Sequence, residues 1–285
     1  MQTETTLDGL AFPECPRWHQ GKLWFTDQHD GRILAASPNG GRETIATTKD
    51  RPGGLGWLPD GSLLVVMMTT RRVLRLRNRA AGLEPYADLA ELAPWHCNDM
   101  LVDELGRAYV GNFGYDVDAD ADETPTQLIR IDRDGSSQST GGPLIFPNGM
   151  AITADGATLL CAETFAHRVS AFTREADGTL SRQRIWADLG EGATAPNPDG
   201  ICIDAEGALW VASPATGEVL RVREGGQVIT GLRTAARPYA CMLGGRDRRT
   251  LFICSAATHD PAQCAKLRSG RIETATVDVP GAGLP

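Results

Sequence analysis

A turn glycine followed by a short apolar run recurs along this chain, and that repeat limits the fold more than any other feature. Gly21 precedes Leu23-Trp24-Phe25, Gly61 precedes Leu63-Leu64-Val65, and Gly106 precedes Ala108-Tyr109-Val110. Gly156 precedes Leu159-Leu160 and Gly207 precedes Leu209-Trp210-Val211, so the period lies between 40 and 51 residues. A sixth copy, Leu251-Phe252-Ile253, follows Gly244-Gly245-Arg246-Asp247. Each copy has a second strand-like run: Arg32–Ala36, Arg72–Leu76, Gln127–Ile131, Arg168–Phe172, Glu218–Val222 and Arg271–Val277. Third runs such as Glu43–Ala46, Arg184–Trp186 and Gln227–Ile229 follow, and the run before each turn glycine completes a set of four. Four short strands at such a period mark a propeller blade. The expected fold is all-β, one six-bladed β-propeller domain over residues 1–285. The sixth copy lacks its outermost strand, and the segment Glu4–Leu7 is spare. An N-terminal strand should therefore pair into the last blade and close the ring without an open edge.

The segments leading into the turn glycines align on a short motif. They read Phe12-Pro13-Glu14, Arg51-Pro52-Gly53, His96-Cys97-Asn98, Phe146-Pro147-Asn148, Asn197-Pro198-Asp199 and Arg237-Pro238-Tyr239. The first strand of each blade lines the central channel. Glu14, Gly53, Asn98, Asn148, Asp199 and Tyr239 should then form one ring facing the axis. Two facing carboxylates repel unless a proton or a cation lies between them. Hard oxygen donors of this mix suit Ca²⁺, Mg²⁺ or Mn²⁺. Gly53 is read as leaving room for substrate or water. Pro-Asn-Gly and Pro-Asp-Gly are also ordinary turn signals. The shared register of Glu14 and Asn98, which lie outside such tripeptides, favours the ring.

Taken together and in order, Phe12-Pro13-Glu14-x-Pro16-x-Trp18, Asn98-Asp99, Pro147-Asn148-Gly149-Met150 and Pro198-Asp199-Gly200 resemble the SMP-30/gluconolactonase/LRE family of regucalcin-like lactonases. The resemblance covers almost the whole chain. It implies one divalent cation in the central channel, held by Glu14, Asn148 and Asp199. It places Asn98 against the substrate or the metal's water shell, or as a fourth ligand, as in related phosphotriesterase-like propellers. Ca²⁺ is the leading choice, with Zn²⁺, Mn²⁺, Mg²⁺ and Fe²⁺ also compatible. The implied reaction is hydrolysis of a small-molecule lactone, with a metal-activated water attacking a polarised carbonyl. Asp199 would orient that water as general base, and Asn98 and Asn148 would fix the carbonyl or its oxyanion. His96 would shuttle a proton or bind a substrate oxygen. Asn98, His96, Asn112 and Tyr239 are the expected substrate contacts. Two departures bear on the substrate. Sugar-lactonase members carry Arg where this chain has His96, and Thr-Met where it has Asn112-Phe113. Hydrolysis of an aryl ester or phosphotriester with the same cation is a competing reading, and so is a non-catalytic ligand-binding propeller.

The composition narrows the rest. The formal net charge is −8, and no Lys/Arg block could neutralise a run of phosphates, which argues against a nucleic-acid partner. No apolar run reaches the ~20 residues of a membrane span. The polar start and seven cysteines without a CxxC pair suggest free thiols in a reducing cytoplasm. Cys161, Cys202 and Cys254 lie in apolar runs and are expected in the core, while Cys15 and Cys97 flank the ring as packing. No Gly-x-Ser-x-Gly elbow, dinucleotide fingerprint or P-loop occurs. The Asp-rich segment Tyr115–Thr126 should form a lid or channel rim. A monomer or weak homo-oligomer is expected.

Overall fold

Each apolar run bounded by a glycine turn becomes a strand, and the strands assemble into six four-stranded antiparallel sheets. The computed structural model describes residues 2–38, 41–119 and 121–285. Blade 1 opens with the inner strand Pro13–His19. The inner strands of blades 2 to 6 are Pro52–Trp57, Cys97–Val102, Pro147–Ile152, Ile201–Ile203 and Arg237–Gly244. In blades 1 to 5 the four strands follow one another in chain order. The outermost strand of blade 6 is Glu4–Leu10, antiparallel to Gly270–Thr276, so the two ends of the chain close the ring as expected. This strand runs on past the expected Leu7 to Leu10, with register shifts on both sides of Leu7.

The turn glycines sit where the inner strand hands over to the second. Gly106 and Gly207 adopt the left-handed backbone, φ 81° and 75°, and their N–H groups donate to Asp103 O and Asp204 O at 2.9 and 3.0 Å. The buried Asp103 and Asp204 carboxylates accept further backbone N–H groups and pair with Arg107 and Arg221, both at 2.7 Å.

Burial falls from the axis outward. Second strands such as Leu63–Met67, Ala108–Asn112 and Leu209–Ser213 are buried on both faces, because adjacent blades cover each side. The outer strand Glu4–Leu10 is mostly exposed. The apolar core is accordingly a series of clusters between blades. Ile33, Leu55 and Val65 join blades 1 and 2, and Ala162, Ile201 and Val211 join blades 4 and 5. All seven cysteines are free and buried, with Cys161, Cys202 and Cys254 in the core. Among the described residues no helix is long and apolar enough to cross a membrane.

Two segments dress the ends of the channel. After Val277 the chain runs under blades 5 and 4. There Ala282 N donates to Ile203 O at 3.0 Å, and Leu284 and Ile152 exchange backbone hydrogen bonds. A cavity of about 260 Å³ lies at that end, lined by Trp18, Trp57 and Leu284 among others. At the other end, the expected lid carries a single 3-10 turn, Val117–Ala119. Its Tyr115 and Val117 pack against a cluster containing Phe113 and Phe146. Asp120 and the side chain of Asp118 lie outside the described residues.

Candidate functional site

The ring register follows from the start of each inner strand. Glu14, Gly53, Asn98 and Asn148 are each the second residue of their strand, Tyr239 is the third, and Asp199 stands just ahead of Ile201–Ile203. Neighbouring blades touch through their backbones at this level. Gly149 N donates to Asp199 O at 3.2 Å, and Gly200 N to Tyr239 O at 2.8 Å. A Cβ on Gly149 would stand 2.7 Å from Asp199 O, and one on Gly200 would stand 2.4 Å from Ala240 Cβ. Glycine therefore follows Asn148 and Asp199 because inner strands converge there, not because the chain turns. Gly53 has the same cause. Its Cβ would meet Asn98 O at 2.7 Å and Met68 Cγ at 2.9 Å, so neighbours fill the room expected beside it.

Glu14, Asn98, Asn148 and Asp199 are each 7–8% exposed. Glu14 Oε2 accepts the Cys15 N–H at 2.7 Å. The Asn148 amide donates to Thr164 Oγ1 at 3.1 Å, and Thr164 donates to Pro198 O at 2.9 Å. Asn148 also hydrogen-bonds the Asp199 carboxylate. The Asn98 amide leans toward Pro147 O at 3.4 Å. Burial, with the Asp99 charge adding, pushes Glu14 up to about 8. Burial, then Glu14 and Asp99, pushes Asp199 well above the usual carboxylate range. Burial, and then Asp199, also raises the Tyr239 phenol. That hydroxyl is buried and has no hydrogen-bond partner among the described residues.

A third acid lies beside the ring and was not singled out from the sequence. Arg17 Nη2 donates to Asp99 Oδ1 and to Met100 O, both at 2.6 Å. Arg17 also donates to Leu55 O and Pro16 O at 3.1 and 2.9 Å, tying together the inner strands of blades 1, 2 and 3. A charge on a channel-lining strand has to find a buried partner. The Arg in Glu14-x-Pro16-x-Trp18 and the Asp after Asn98 were the available signal.

With Glu14, Asp99 and Asp199 ionised, three carboxylates face one guanidinium, and the residual two negative charges match a divalent cation. Carboxylate and carboxamide oxygens fit a hard ion. Glu14, Asn148 and Asp199 could hold it, with Asn98 alongside. Among the described residues no three His, Cys, Asp or Glu side chains form a metal cage. The carboxamide oxygens are thus needed to complete the donor set.

Asn112 does not join this ring. Register places Asp27, Met67, Asn112 and Glu163 at one repeat position, opposite Pro13, Pro52, Cys97 and Pro147. Acids there anchor the entry to the ring: Asp27 accepts Phe12 N at 2.7 Å, and Glu163 accepts Ile145 N at 2.8 Å. Asn112 acts alike. It is fully buried, accepts Gly114 N at 3.1 Å and the Thr126 hydroxyl at 2.8 Å, and donates to Gln127 O at 2.9 Å. Its amide oxygen is filled by Gly114 and Thr126 and one of its two N–H groups by Gln127, so it ties the base of the 115–126 segment to the second strand of its blade. His96 is half-buried at the channel mouth, with its ring stacked on Trp95 at 4.8 Å. Burial lifts Cys97 to about 12 and Cys15 well above its usual value, so both are protonated packing groups.

Known proteins resemble this chain along most of its length. The family model for an SMP-30/Gluconolactonase/LRE-like region matches residues 12–257. The chain is 27% identical to a 6-deoxy-6-sulfogluconolactonase of Pseudomonas putida over 281 residues, covering 95% of this chain and 93% of that one. It is 26% identical to the pentonolactonase XacC of Haloferax volcanii, over 85% of this chain and 81% of that one. Among solved structures, a calcium-binding protein, regucalcin, from Agrobacterium tumefaciens superposes with a TM-score of 0.81 at 20% identity, covering 98% of this chain and 94% of that one.

Proposed function

Because the chain belongs to the SMP-30/gluconolactonase/LRE-like family, we propose that it is a divalent-cation-dependent hydrolase of a small-molecule lactone. The observation that carries this reading is the buried Glu14–Asp199 pair. Burial raises both, the Glu14 charge raises Asp199 further, and the nearby Arg17 guanidinium is engaged by Asp99. Two curated relatives named as sugar lactonases, matched over most of their length, support the reaction class. The calcium-binding regucalcin supports Ca²⁺ as the first ion to test.

A divalent cation bound by Glu14, Asn148 and Asp199 would polarise the substrate carbonyl, acidify water and hold both acids as carboxylates. The remaining work falls to side chains. Hydrolysis adds water across the acyl C–O bond. The water oxygen bonds to the carbonyl carbon, and its proton passes to the Asp199 carboxylate. Asn148 hydrogen-bonds that carboxylate and holds it in place. Asn98 offers an amide to the developing oxyanion. The Tyr239 hydroxyl, buried and without a partner among the described residues, is available to donate to a substrate oxygen. The ring oxygen leaves as an alkoxide and takes a proton at the mouth, where His96 stands.

A pH-indicator screen of lactones, aryl esters and phosphotriesters, run with and without EDTA, tests this. Turnover of a lactone that EDTA abolishes is expected. Turnover confined to aryl esters or phosphotriesters overturns the substrate class, and no turnover of any substrate favours a ligand-binding propeller.

A further inference from the structure

The geometry points to a lactone that carries an aryl group as the preferred substrate, one that lies against an aromatic wall at the channel mouth; this rests on the hydrolase reading of the same site. The ring residues lie where inner strands begin and second strands end. Residues just outside those strand ends therefore rim the mouth. In blades 3 and 4 they are His96 before Cys97–Val102, Phe113 after Ala108–Asn112, Phe146 before Pro147–Ile152, and Phe165 beyond Thr158–Glu163. The rings form one connected cluster in which Phe113 and Phe146 are buried and Phe165 presents the exposed face. Phe113 stacks on Phe146 with centroids 4.4 Å apart, Phe165 lies 4.7 Å from Phe146, and His96 lies 5.9 Å from Phe113. Phe12, at the equivalent place in blade 1, meets Tyr239 edge-on at 4.7 Å.

Two observations give the wall a purpose beyond core packing. Phe146 has φ 50°, a left-handed backbone that a bulky residue ahead of proline avoids on two counts. Its neighbours enforce it: the Glu163 carboxylate holds Ile145 N, and Thr164 N donates to Phe146 O at 3.3 Å. Such enforced strain clusters at binding sites, and Asn148 follows two residues on. Phe165 is 41% exposed, so an apolar ring stands in water above a deeply buried polar ring.

Two polar side chains at the base of this wall spend most of their hydrogen-bonding capacity on each other and on the backbone. Asn112 and Thr126 bond each other and the backbone. A sugar's hydroxyls placed against the wall would lose their hydrogen bonds to water without replacement. An aryl group would gain burial and ring-to-ring contact.

The test uses the full chain loaded with Ca²⁺ or Mn²⁺ and three probes: γ-phenyl-γ-butyrolactone, γ-methyl-γ-butyrolactone and δ-gluconolactone. The first two differ only in the aryl group. The phenyl lactone is expected to exceed the methyl lactone in kcat/KM by about tenfold or more. Phe165→Ala, at an exposed site that keeps the fold intact, should narrow that ratio at least about fivefold. Saturation-transfer NMR with the γ-phenyl hydroxyacid product gives a readout independent of turnover. Its aromatic protons should receive saturation from the wild type and lose most of it in Phe165→Ala, while gluconate receives none. Equal rates for the phenyl and methyl lactones, a faster δ-gluconolactone, or saturation unchanged by Phe165→Ala overturns the proposal. No turnover of any lactone removes the hydrolase reading instead, and the NMR result then decides on the wall alone.

Discussion

Glu14 and Asp199 set the electrostatics of the whole channel. Both are raised above their ordinary values, so folding binds protons, and the metal-free protein loses stability as pH rises from the ordinary carboxylate range toward about 8. Glu14→Gln removes one member of the pair. With the cation chelated, thermal melts of Glu14→Gln should lie above wild type, by a margin that grows between pH 5 and pH 8 and amounts to roughly 2–4 °C per kcal/mol recovered. With cation present the order should reverse, because a ligand is gone. The Tyr239 hydroxyl makes a separate prediction. Tyr239→Phe keeps the ring against Phe12 and removes only the donor, so kcat should fall about a hundredfold with little change in melting temperature. At this scale the starts of the inner strands were legible, because a proline one residue ahead of most of the aligned positions marks where each begins. The Arg17–Asp99 pair was not. It joins blades 1 and 3, and nothing local to either residue announces the other.

At the scale of the element, one repeat position explains how the ring is held. The acids closing the second strands, Asp27 and Glu163, reach across to the backbone that enters the inner strand of their own blade. Glu163 also pairs with Arg168 and accepts the Ser170 hydroxyl. Glu163→Gln should destabilise the protein by about 3 kcal/mol or somewhat less, since Arg168 is partly in water. Amide exchange should show the loss concentrated at Ile145 and the start of blade 4, and a uniform loss across all blades would contradict the anchoring role. Asn112 belongs to this set. Its place could be read only with the hairpin register in hand, since in sequence an Asn near the channel looks like any other ligand contact. The glycines after Asn148 and Asp199 were similarly ambiguous, because Pro-Asn-Gly names a turn as readily as a close approach.

For the whole molecule, closure is the organising fact. The repeat period was enough to count blades, and the missing strand of the last copy was enough to place Glu4–Leu7 in the last blade, where the strand runs on to Leu10. Deleting residues 2–10 should leave the edge of Gly270–Thr276 unpaired, with a lower melting temperature and concentration-dependent association in sedimentation. The tail beneath blades 4 and 5 escaped the sequence reading, since it makes single bridges to Ile152 and Asp204 and repeats nothing. Both ends of the chain complete the closed ring of blades, at the start of whose inner strands Glu14, Asn98, Asn148 and Asp199 take equivalent places. The most direct test of that account strips the protein with chelator, titrates a divalent cation back and follows hydrolysis of a lactone found active in the screen. Activity should be absent at the start, rise linearly and level off at one equivalent per chain, and stay at baseline in Asp199→Asn; full activity in the stripped wild type, or full activity in Asp199→Asn, would contradict it.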